Sequence, residues 1–144
     1  MITVTELLTE LRHKYITILK SIYWEAYEEG QCQASSVRVL IESADRALDH
    51  EERVLADWEF INSYIVSDGY YIDAITACSH LSCIGWFFKN LLFTHYKRAY
   101  DIIVTFVECH EQAIFIISSV IENKQFLNKI ITESKTNTEA AEIF

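Results

Sequence analysis

The sequence predicts an all-α fold, an irregular bundle of about four to six helices with long members near residues 4–29, 35–66 and 86–122. Three observations point there. Proline is absent and only 3 glycines occur in 144 residues, so the residues that break helices and make corners are scarce. Apolar residues recur three and four apart almost throughout. Hydrophobic residues make up 51% of the chain, enough to fill a core and too many for a disordered tail. The length suits one domain, residues 1–144, with no internal repeat.

The first helix opens on a capping-box pattern, Thr3-x-x-Glu6. Leu7, Leu8, Leu11, Tyr15, Ile18, Leu19, Ile22 and Ala26 then form its stripe, and Gly30 sits where a C-terminal cap belongs. Gln31 to Ser36 reads as a polar turn, with Ser35 or Ser36 as the next N-cap. Val37, Leu40, Ile41, Ala44 and Leu48 continue as a stripe, and Leu55, Trp58, Ile61 and Ile65 extend it beyond the charged patch at residues 49–53. This predicts one long helix or two joined helices over 35–66. Ser67-Asp68-Gly69 marks the clearest break, and a shorter helix is expected over 70–80.

Residues 79–85 read as a turn, followed by a long helix whose stripe runs from Phe88 through Phe106 to Ile121. A short amphipathic stretch, residues 126–131, comes next. Residues 136–144 read as the start of another helix. That gives the chain the look of a fragment of a larger protein. The longest charge-free run, between Asp73 and Lys89, is interrupted by Ser79, His80 and Ser82, so no membrane-spanning stretch is expected.

The formal net charge is −9, which leaves no basic footprint for nucleic acid. The densest basic cluster, Lys97-Arg98 with Lys89, reads as a solvated helix face; the alternative is contact with an acidic partner or anionic lipid. The N-terminus lacks a secretory signal pattern, so the four cysteines at 32, 78, 83 and 109 are expected as thiols in a reducing cytosol.

Site chemistry is sparse. Glu10-x-x-His13 is one Glu-x-x-His pair where a di-iron bundle needs two, and it reads as a surface pair. Cys78-x-His80-x-x-Cys83 offers three local ligands where structural zinc needs four, so no metal and no cofactor are expected. Cys109-His110 are helix neighbours whose side chains diverge by about 100°, which is no nucleophile–base pair from adjacency alone. Phosphate-cradling glycine loops and hydrolase motifs are absent, and the chain is read as a non-enzyme. Tyr23-Trp24 and Trp86-Phe87-Phe88 read as core. Phe87 and Phe88 cannot both face one core, so one of them is expected to look toward a partner. The candidate packing and coupling residues are Tyr23, Trp24, Trp58, Trp86 and Phe88.

Residues 19–30, Leu-Lys-Ser-Ile-Tyr-Trp-Glu-Ala-Tyr-Glu-Glu-Gly, resemble a segment just after the transporter domain in one branch of sodium/proton exchangers. That branch holds the plant salt-overly-sensitive antiporters and the sperm-specific exchangers. The resemblance continues through residues 40–49, through Leu55-Ala56-Asp57-Trp58-Glu59, and again in residues 100–111 and 130–134. Residues 70–96 depart from the plant pattern, which favours the sperm-specific type. The resemblance implies a cytosolic helical region that couples a membrane antiporter to voltage-sensing and cyclic-nucleotide-binding modules, or forms a dimer. Its implied partners are those domains of the same parent chain and a second copy. Its implied place is the cytosolic face of the plasma membrane, in the sperm flagellum for the favoured type. The ion-binding residues would belong to the membrane part. A free-standing helical adaptor that binds a partner helix fits the composition equally well.

Overall fold

The computed structural model of the chain describes residues 2–50, 52–66, 69–81 and 83–143. Six α-helices run in order: α1 Val4–Glu28, α2 Ala34–Asp49, α3 Asp57–Val66, α4 Gly69–Ser79, α5 Gly85–Val120 and α6 Lys124–Ile143. No strand occurs among the described residues.

The capping box forms as its residues dictate. The Thr3 hydroxyl accepts from the Glu6 amide and the Glu6 carboxylate accepts from the Thr3 amide, which satisfies two otherwise orphaned donors. At the other end Gly30 adopts φ 75°, a conformation that costs other L-residues, and lets the chain leave α1.

Helix α5 is the pillar of the fold. At 36 residues it is about 54 Å long. Its C-terminal two-thirds packs against α1, α2 and α6, while α3 closes on α2 and α6. Tyr15, Ile16, Leu19, Tyr23, Leu40, Ile61, Ile102, Phe106, Ile117 and Ile130 are the large side chains sealed inside. The N-terminal part of α5 pairs with α4 as a helical hairpin. Gly85 makes that corner tight: a Cβ there would stand 2.6 Å from the Ser79 carbonyl oxygen.

Four expectations are corrected. No single long helix spans 35–66; the two-helix alternative forms, as α2 and α3, with an irregular connection between Asp49 and Asp57. The physical reason is that Leu55 turns inward there and spends its amide and carbonyl on α6 side chains rather than on a helix ladder. Helix α2 starts before either serine, with Gln33 at its N-cap; Ser36 is fully buried and its hydroxyl has no partner. The two C-terminal stretches form one continuous helix, because Ile130, Glu133, Ser134, Asn137 and Ala141 lie on one inward face that carries polar as well as apolar residues. Finally, α5 is long and apolar enough to cross a membrane by length and composition, although its Ile102, Phe106, His110 and Ile117 are buried in the bundle. Of the expected 67–69 break, Ser67 and Asp68 lie outside the described residues.

Candidate functional site

The interior is crossed by a polar seam joining α1, the α2–α3 connection, α5 and α6. Arg12 stands one turn after Leu8 on the inward face of α1, so the helix delivers a guanidinium to the core. Its Nε donates to Glu133 Oε2 at 3.0 Å and one terminal nitrogen to Oε1 at 2.6 Å, a bidentate pair in which both residues are buried. The other terminal nitrogen reaches the Glu52 carbonyl at 3.4 Å. Glu133 Oε2 also accepts from the Leu55 amide at 3.3 Å. One turn on, Asn137 donates to the Leu55 carbonyl at 2.8 Å and accepts from the Trp58 amide at 3.3 Å. The non-helical backbone between α2 and α3 is thus satisfied by α6 side chains.

The second cluster centres on His110. Its Nδ1 lies 2.7 Å from the Phe106 carbonyl. A carbonyl can only accept, so Nδ1 carries a proton and donates. Nε2 lies 2.8 Å from Asp57 Oδ2. Asp57 Oδ1 is buried without a hydrogen-bond partner. The Tyr23 hydroxyl approaches His110 Nδ1 at 3.5 Å, and the Tyr15 hydroxyl meets Ser134 Oγ at 2.5 Å. Burial, with the Asp57 charge adding to it, pushes both phenols above the ordinary tyrosine range.

The candidate residues divide between core and surface. Tyr23 is sealed inside, and Trp58 is 6% exposed with its ring 5.4 Å from Phe106. Phe106 in turn lies 3.9 Å from the His110 ring, so Tyr23 and Trp58 meet the same stretch of α5. Trp24, expected at the core, is 48% exposed and packs edge-on against Tyr27. Trp86, also expected at the core, is 78% exposed, Phe87 is exposed, and Phe88 is half-buried. The reason is positional: Trp24 falls one residue off the stripe, and Trp86 lies on a hairpin beyond the reach of α1, α2 and α6.

Glu10 and His13 are both exposed, and Glu10 pairs with Lys14 at 3.0 Å. Cys78 is half-buried while His80 and Cys83 are exposed, and among the described residues no group of three His, Cys, Asp or Glu lies together to hold a metal ion. Cys109 is buried, and burial pushes its thiol up to about 12, away from the thiolate a nucleophile needs. Lys97 is exposed as expected of a solvated face. Arg98 is not: it lies over the Tyr64 ring and donates to the Tyr64 hydroxyl at 2.5 Å.

Arg12, Asp57, His110, Glu133 and Asn137 escaped the sequence reading as site residues. A signal existed. Arg12 keeps the i+4 spacing from Leu8, and Glu133, Ser134 and Asn137 keep the i+3, i+4 and i+7 spacing from Ile130. Polar residues in register with an apolar stripe are candidates for a buried network.

Fold and seam together define an all-helical domain held by a buried polar network, with no assembled metal centre among the described residues. No family model and no solved structure matches the chain. Over 64 residues, 44% of the chain, it is 28% identical to sodium/hydrogen exchanger 7 of Arabidopsis thaliana. The chain is thus a distant, partial relative of an exchanger, and the match spans 6% of that protein's length.

Proposed function

We propose that this chain is a regulatory, coupling or dimer-forming cytosolic segment of a sodium/proton antiporter. In this reading it links the membrane exchanger domain to downstream gating modules and does not touch the ions. The similarity to the plant exchanger carries the reading. The seam supports it, since Asp57, His110, Glu133 and Ser134 all fall within segments on which the sequence resemblance rests. The finer assignment follows residues 70–96: a sperm-specific type, on the cytosolic face of the flagellar plasma membrane, with domains of the same parent chain and a second copy as partners.

Mechanically, a domain couples two modules when it has two packed arrangements and each module favours one. The seam suits this because four elements share directional contacts that a small shift would exchange or break. Transport assays on the full-length parent exchanger test the reading. Trp58→Ala, or deletion of residues 4–122, is expected to alter activation or surface assembly while the sodium/lithium preference of residual transport stays unchanged. Wild-type activation and assembly in both variants would sink it. Isolation of the 144-residue chain as a native protein with its own partner would favour the adaptor instead.

A further inference from the structure

Helix α5 carries an exposed stripe that the bundle leaves uncovered. Trp86, Lys89, Phe93, Tyr96, Lys97 and Tyr100 are all exposed and recur at spacings of three and four. They fall within about 100° of arc on one side of the helix, along about 21 Å of its length. The opposite side, with Phe88, Leu92, Ala99 and Ile102, faces inward. Large aromatics on a solvated ridge are unusual for a chain that buries its other apolar stripes.

Charge is segregated in the same sense. Residues 69–100 hold Lys89, Lys97 and Arg98 against one acid, Asp73, a net of +2 in a chain of net −9. The rest of the chain therefore carries −11. No Asp or Glu lies between residues 86 and 100. We infer that this α5 stripe is a docking surface for an anionic lipid bilayer. The helix lies in the interface with its aromatic rings at the headgroup boundary and Lys89 and Lys97 against lipid phosphates and carboxylates.

Each feature fits that occupant. Tryptophan and tyrosine present an apolar body and a polar tip, which suits the boundary between headgroups and acyl chains. Lysine stems lie along apolar surface while the ammonium reaches the charged layer. The acidic bundle is repelled by the same surface, so the molecule is oriented with the hairpin toward it. A second copy fits worse. Pairing two stripes would desolvate four lysine ammonium groups with no carboxylate on either stripe to meet them. The inference does not rest on the exchanger reading, since an adaptor with this stripe would bind the same bilayer.

Sedimentation of the whole chain with vesicles tests it. Vesicles of phosphatidylcholine with about one-third phosphatidylserine are expected to retain the chain, and phosphatidylcholine alone to retain it far less. Lys89→Gln with Lys97→Gln is expected to weaken retention roughly tenfold or more, as is Trp86→Ala with Phe93→Ala. These are surface positions, and unchanged far-UV circular dichroism will show that the variants fold. Brominated acyl chains should quench part of the tryptophan emission, and that part should vanish in Trp86→Phe. Absence of retention on either vesicle overturns the proposal, as does retention indifferent to both pairs of substitutions. So does a concentration-dependent dimer abolished by Trp86→Ala in a chain that ignores vesicles, which would make a second copy the occupant.

Discussion

His110 on α5 and Asp57 at the first turn of α3 face each other at 2.8 Å, both buried. The contact spans 53 residues of sequence and pins the long central helix to the entrance of a short one. Beside it, Arg12 and Glu133 join the first helix to the last across 121 residues. Two directional contacts thus fix how four helices are set against one another, where apolar packing alone would tolerate sliding.

Removing one partner of the Arg12–Glu133 pair should cost more than removing both. Arg12→Met or Glu133→Leu alone strands a buried charge, and each is expected to destabilise by about 3–5 kcal/mol. The double variant is expected to recover much of that loss, because an apolar pair of similar volume needs no desolvation. Urea denaturation of the three variants reads this, and additive losses in the double variant would mean that the two residues are not coupled.

The three tryptophans should separate cleanly. Trp58→Ala opens a cavity against Phe106 and is expected to cost about 3–5 kcal/mol. Trp24→Ala and Trp86→Ala act on exposed rings and are expected within about 0.5 kcal/mol of the parent. Thermal melts monitored by circular dichroism would decide it, and a large loss in Trp86→Ala would contradict the placement of the hairpin.

Gly85→Ala should loosen the α4–α5 corner. The added methyl would stand 2.6 Å from a backbone carbonyl that cannot rotate away, so the helices must part. A cost of about 1–3 kcal/mol is expected, with faster hydrogen exchange in α4 than in α1 or α6. Unchanged α4 protection would argue against the close approach.

Stability should fall in alkali. Burial raises the Cys109 thiol from 9.0 to about 12, and the phenols of Tyr15 and Tyr23 are raised as well. These groups stay protonated in the fold while the unfolded chain begins to lose their protons above about 9. Their contribution is therefore whole below that pH and lost progressively as pH climbs toward about 12. Melting temperature against pH, compared with Cys109→Ala, measures the thiol's share. At pH 8, Cys83 should react with a thiol reagent well before Cys109, since one is exposed and the other buried.

Much of the fold was legible because local chemistry and packing agree. Thr3, Glu6 and Gly30 mark both ends of α1, and the stripe from Leu8 to Ala26 faces the core. The break in 35–66 was legible only as the charged patch at residues 49–53 between two stripes, because Leu55 and Trp58 keep helical spacing from Leu48 although the backbone between them is not helical. What ends the helix is the competition of Glu133 and Asn137 for that backbone, some 80 residues away in sequence, which no local pattern carries. Tyr23 and Trp58 were recognisable as core because they lie on stripes. Trp24 and Trp86 have apolar neighbours close by on their helices, which pointed to the core. Both rings are exposed because Trp24 falls one residue off the stripe and Trp86 lies on the α4–α5 hairpin. The seam escaped because a charged residue on an apolar stripe looks like an interruption until its partner on another helix is known.

The most direct test of coupling through the seam is sodium-driven proton flux in the full-length parent exchanger carrying Asp57→Asn. The amide keeps the shape of the carboxyl and can donate to His110 Nε2, but it removes the carboxylate from the contact. The expected result is a shifted activation of transport with normal surface expression and unchanged sodium/lithium preference. Activation indistinguishable from wild type, in a variant whose isolated domain also melts as wild type, would contradict it.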